Sequence, residues 1–115
     1  MTVLIRRVYE HADPADGFRV YVDRLWPRGL SRERAAIDLW LKDIGPSAGL
    51  REWFDRADRF AEFSARYTAE LDHDPAVGEL VRIARANPVV TLLYRARSTE
   101  RNHAAVLAAF LNRRA

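Results

Sequence analysis

A chain of 115 residues is long enough to bury one hydrophobic core and too short to divide into two. With 49% apolar and 30% charged residues it has the balance of a folded globular domain, and zero cysteines exclude disulfides, thiol nucleophiles and cysteine-ligated metals. No apolar run approaches the roughly 20 residues of a bilayer span. The net charge of +3 comes from nineteen bases interleaved with sixteen acids, without a tract of like charge, so it supports a nucleic-acid partner only weakly.

Taken in chain order, the stretch from Val3 to Tyr9 is apolar and β-branched enough for a strand, and Asp13-Pro14-Ala15-Asp16-Gly17 has turn chemistry. Phe18, Val20 and Val22 alternate with Arg19, Tyr21 and Asp23, the pattern of a second strand with unlike faces. Ser31 is placed to cap a short helix through Ala36, and the apolar run from Ile37 to Leu41 suits strand or helix equally. Gly45-Pro46 breaks the chain, and Ser47 caps a helix carrying Leu50, Trp53 and Phe54. Asp58 is the expected N-cap of a longer helix with Phe60, Phe63, Tyr67 and Leu71 on one face. Pro75 suits the start of the next helix, which would bury Val77, Leu80, Val81 and Ala84 before Asn87-Pro88 ends it.

The unbroken run from Val89 to Tyr94 predicts a central strand covered on both faces. Ser98 or Thr99 is then expected to cap a last helix with Val106, Leu107, Phe110 and Leu111 on its apolar stripe. Helices lying between strands predict a single small α/β domain over residues 1–115, a mainly parallel sheet flanked by helices and joined by right-handed crossovers.

In such sheets, ligands gather beyond the carboxyl ends of the parallel strands. The polar residues least expected in a packed fold fall there. Asp23, Arg24, Trp26 and Arg28 follow the second strand. Arg95 and Arg97 follow the last one, with Asn102 and His103 in the first turn of the final helix. His103 shares its helical face with Val106, Leu107, Phe110 and Leu111, so it looks toward the sheet. Asp23 could orient His103, act with it in acid–base chemistry, or form a structural ion pair. Arg28, Arg95 and Arg97 together suit a phosphate or carboxylate through forked hydrogen bonds. Trp26 can stack on a ring or belong to the core with Trp40 and Trp53.

No cofactor motif is present. There is neither a glycine-rich phosphate loop nor a Gly-x-Ser-x-Gly elbow, and His11, His73 and His103 lack metal-ligand spacing, so no metal is expected. The resulting expectation is a pocket for a small anionic ligand, formed by Arg24, Arg28, Arg95, Arg97, Trp26 and Asn102 around Asp23 and His103. A protein-interaction domain with a structural polar network and a nucleic-acid-binding module are the alternatives.

Four stretches carry a family likeness: Val22-Asp23-Arg24-Leu25-Trp26-Pro27-Arg28-Gly29, Asp38-Leu39-Trp40-Leu41-Lys42-Asp43, Thr91-Leu92-Leu93-Tyr94 and Asn102-His103-Ala104. Together they resemble the DUF488 family, in its short, YeaO-like branch. The resemblance implies a small cytoplasmic bacterial α/β domain of uncharacterised function, and no secretory pattern opens the chain. Longer DUF488 members carry Asp-x-Arg at the first motif and Cys-His-Arg at the start of the final helix. Here the triplet reads Asn102-His103-Ala104, so the histidine matches while the thiol does not. The resemblance extends to Asp23, Arg24, Pro27, Arg28 and His103.

Overall fold

The structure, a computed structural model, describes residues 1–114. Four strands form one sheet in the order β1 (Val3–Arg7), β4 (Val90–Tyr94), β2 (Phe18–Tyr21), β3 (Leu39–Trp40), and every neighbouring pair is parallel. The ambiguous run after Ile37 is thus the edge strand β3, hydrogen-bonded beside β2. β4 lies between β1 and β2 with all five residues buried, as its continuous apolar sequence predicts.

Alternate residues of the strands feed two cores. On one face Val3, Val20, Val22, Val90, Leu92 and Tyr94 meet the helices α2 (Ala48–Ala57), α3 (Phe60–Leu71), α4 (Ala76–Ala86) and α5 (His103–Asn112). The expected apolar stripes make this contact: Leu50, then Phe63, Tyr67 and Leu71, then Val77, Leu80 and Ala84, then Val106, Leu107, Phe110 and Leu111. Each large aliphatic or aromatic side chain sealed here contributes roughly 1.5–3 kcal/mol. On the other face Tyr21 and Leu93 pack with Val8, with Ala35 of the single-turn α1 (Arg32–Ala35), and with half-buried Trp26 and Trp40.

Three expectations are corrected. The unlike faces expected from the alternation in Phe18–Asp23 are both covered, and Arg19 is buried. Arg19 pairs with Asp16 and donates to the Ala35 and Ala36 carbonyls (2.9 Å each), and Arg6 reaches the same carboxylate at 2.9 Å. A charge can be buried on this face because the carboxylate is paired and each guanidinium nitrogen of Arg19 has an acceptor. Asp58 does not start α3. It ends α2 in the left-handed conformation, φ +48°, while α3 begins after Arg59 without a side-chain cap. Neither Ser98 nor Thr99 caps α5. Asn102 does, accepting from the Ala105 N–H at 2.8 Å, and it therefore precedes the first turn instead of belonging to it.

Gly17 is one position where glycine is required. Its φ is +64°, and a Cβ there would stand 2.2 Å from the Val89 carbonyl oxygen, so the chain entering β2 lies directly against the chain entering β4.

Candidate functional site

The carboxyl ends of β1, β2 and β4 open into a cleft of about 670 Å³. Parallel strands aim their last residues at this one edge, and the loops after β2 and β4 close over it. Val22 still bonds to the sheet through its N–H and Leu93 O (3.0 Å), and Asp23 is the first residue to leave. Its carboxylate Oδ2 accepts the Arg95 N–H at 2.8 Å, while its main-chain oxygen accepts Trp40 Nε1 at 2.7 Å. Asp23 therefore fastens the loop after β2 to the loop after β4.

His103 opens α5 with its ring turned to the sheet, where Nε2 lies 3.0 Å from Val22 O and 3.9 Å from Asp23 Oδ1. A carbonyl only accepts, so Nε2 carries a hydrogen and donates it to Val22. Asp23 and His103 thus meet across eighty positions of sequence, though outside hydrogen-bond reach of each other. Asn102 is almost wholly buried. Its oxygen caps α5 and its Nδ2 donates to Ser98 O at 2.9 Å, which leaves the side chain engaged on both sides. Ser98 shapes the loop by accepting from the Glu100 and Arg101 N–H groups.

Six arginines line the cleft beside two carboxylates, Asp23 and Asp55. Arg28 stands at the corner of a turn closed by Leu30 N–H and Pro27 O (3.3 Å), and Gly29 supplies the positive φ, +84°, that a type II turn needs at its third residue. Arg95 and Arg97 come from the loop after β4. Among the described residues none of these three guanidiniums has an ion-pair or hydrogen-bond partner. The other three are engaged. Arg7, at the end of β1, donates to Ala96 O (2.9 Å) and Arg95 O (3.4 Å) and pins the loop from outside; Arg51 donates to Pro46 O (3.4 Å); Arg101 pairs with Asp58 (3.0 Å). Phe54 and Phe63, stacked at 4.2 Å between centroids, form the apolar wall.

Of the residues singled out by sequence, Asp23, Arg28, Arg95, Arg97, Asn102 and His103 share the cleft, and Arg24 and Trp26 lie outside it. Arg24 is exposed. Trp26 packs edge-on against Trp40 at 5.6 Å and donates Nε1 to Leu30 O, so it stabilises the second core. Sequence reasoning missed Arg7, Tyr9, Arg51, Asp55 and Arg101. The strand-end rule that selected Arg95 would have selected Arg7 as well, since it closes a parallel strand at the same edge. The helical Arg51 and Asp55 carry no comparable signal.

A family model described as "Inactive DUF488-N3 subclade" matches residues 2–115. The Uncharacterized protein Rv3073c of Mycobacterium tuberculosis (strain ATCC 25618 / H37Rv) is 45% identical over 113 residues, covering 97% of this chain and 95% of that protein. The Uncharacterized protein YeaO of Escherichia coli (strain K12) is 44% identical over 113 residues, covering 96% of this chain and 97% of YeaO. No solved structure matches the chain. With a family model matched over nearly its whole length and relatives of this similarity, the chain belongs to the DUF488 family.

Proposed function

We propose that the cleft binds a small anion bearing phosphate or an equivalent group, and that the protein acts by holding this ligand without turning it over. The observation that carries the reading is the convergence of Arg28, Arg95 and Arg97, three guanidiniums without partners among the described residues, on one recess. A planar guanidinium matches two phosphate oxygens at once, and such charge-assisted bonds are about twice as strong as neutral ones. The absence of turnover is supported by how the acid–base candidates are used. Asp23 is engaged by the Arg95 N–H, and His103 donates to Val22 O. The triplet position that holds cysteine in longer relatives is filled by a capping asparagine. The matched model's description as an inactive subclade supports the same reading.

Thermal unfolding at low salt with inorganic phosphate, pyrophosphate and simple phosphate esters tests it. A ligand present at a hundred times its Kd stabilises the folded state by about 2.7 kcal/mol. Arg28→Ala should remove that rise and leave the unliganded protein within about 0.5 kcal/mol of the parent, because Arg28 is exposed and has no partner among the described residues. If no such anion raises the melting temperature of the parent, the reading fails. Retention of DNA or RNA that falls steeply with salt, in the absence of any small-anion effect, would favour the nucleic-acid alternative.

A further inference from the structure

Resting on that reading, we infer that Arg101 is a specificity-determining residue of the cleft, held by Asp58 and released to anions that carry more than one phosphoryl group. Arg101 lies in the loop after β4 and lines the same recess as Arg28, Arg95 and Arg97. Unlike them it is engaged. Its Nη2 forms an ion pair with Asp58 Oδ1 at 3.0 Å and donates to Asp58 O at 3.1 Å. Asp58 terminates α2, where unpaired carbonyls make the helix end negative, so its carboxylate and its main-chain oxygen attract the same guanidinium.

This hold is weak. The two side chains are 48% and 77% exposed, and an ion pair so open to water is screened and close to neutral in free energy. A ligand charge at short range inside the cleft competes with it directly. Arg28, Arg95 and Arg97, without partners among the described residues, already offer forked donors enough for the oxygens of a single phosphate, so a fourth gains nothing from that ligand. A diphosphate has further oxygens and further charge, and of the three engaged arginines lining the cleft Arg101 is the one whose partner is a carboxylate; Arg7 and Arg51 are bonded to carbonyls that shape the loops. Asp55, one helical turn before Asp58, faces the cleft without an ion-pair partner among the described residues and opposes any anion. Arg101 therefore tunes the cleft toward the more highly charged of two related ligands.

Calorimetric titration of the full chain with inorganic phosphate and with pyrophosphate tests this, using Asp58→Asn and Arg101→Gln. Asparagine tolerates the left-handed backbone that Asp58 adopts, so the first variant keeps the end of α2. Arg101 is at the surface, and its loss leaves no buried charge. Asp58→Asn should tighten pyrophosphate binding by about two- to fivefold, the strength of the pair it removes, and leave phosphate nearly unchanged. Arg101→Gln should weaken pyrophosphate about tenfold, as expected for a charge-assisted bond, and phosphate by less than about twofold. If both variants shift the two anions equally, or neither shifts pyrophosphate, Arg101 has no part in selection. Should the parent still bind phosphate through Arg28 in that case, the anion-binding reading stands and only this inference falls; absence of binding to either anion removes both.

Discussion

Asp23→Ala and Asp23→Asn are expected to separate stability from anion affinity. The Asp23 carboxylate is 19% exposed and accepts the Arg95 N–H at 2.8 Å. A hydrogen bond to a charged acceptor contributes about 1.5–3 kcal/mol, but Arg95 is exposed and its N–H can turn to water, so the loss on truncation falls to about 1–2 kcal/mol. For a domain of this size that lowers the melting temperature by roughly 3–10 °C. Asparagine keeps an acceptor oxygen and should cost no more than about 0.5 kcal/mol. Affinity moves the other way. Removing one negative charge about 8 Å from a bound anion, in a medium of effective dielectric about 40, contributes about 1 kcal/mol, or roughly fivefold tighter binding. The alanine variant loses the same charge but frees the loop bearing Arg95 and Arg97, so its gain is smaller. Calorimetry with pyrophosphate at two salt concentrations reads both effects, and the gain should shrink at high salt. If Asp23→Asn weakens anion binding, Asp23 contacts the ligand and the account of it as a loop fastener is wrong.

Two further outcomes follow from buried polar groups. Burial pushes the Asp16 carboxyl up, but the Asp13 N–H and the Arg6 and Arg19 guanidiniums outweigh it and hold the group below the usual carboxylate range. Its folded value is thus depressed, so its contribution is complete above about pH 4, the unfolded value, and is lost as pH falls through the lower folded value. Asp16→Asn leaves Arg19 buried without its ion partner and should cost about 3–5 kcal/mol at neutral pH. Urea unfolding between neutral and acid pH should then show a flatter dependence than in the parent, and an unchanged slope would refute the assignment. Asn102→Ala removes the α5 cap and the bond to Ser98 O, and is expected to lower the unfolding free energy by about 2 kcal/mol. A change within error in denaturant midpoint would mean that the cap contributes nothing.

The run from Val89 to Tyr94 was readable because a strand covered on both faces has no polar position to spare, and the stripes of α3 and α5 were readable because helical period and burial agree. Arg19 was misleading for the same reason in reverse. A charge at an alternate strand position normally marks water, and here Asp16, three residues earlier, together with the Ala35 and Ala36 carbonyls makes burial tolerable. Capping residues were legible as a type and not as a position: Ser98, Thr99 and Asn102 all qualify chemically, and the docking of α5 on the sheet decides among them. Asp58 shows a similar limit, because the junction between α2 and α3 is so short that one residue can end the first helix or begin the second. The site was half legible. Strand-end reasoning reached Asp23, Arg95 and His103, whereas Arg51, Asp55 and Arg101 enter the cleft through the placement of α2 and the course of the loop after β4, neither of which has a local signature.

The central place of β4 governs when this domain can assemble on the ribosome. Val3 pairs with Val90 and Phe18 with that same Val90, so β1 and β2 remain without their shared neighbour until some seventy further residues after β2 have been made. Pairings so distant in sequence close slowly. A nascent chain halted before Tyr94 presents open strand edges to other molecules, a state prone to aggregation.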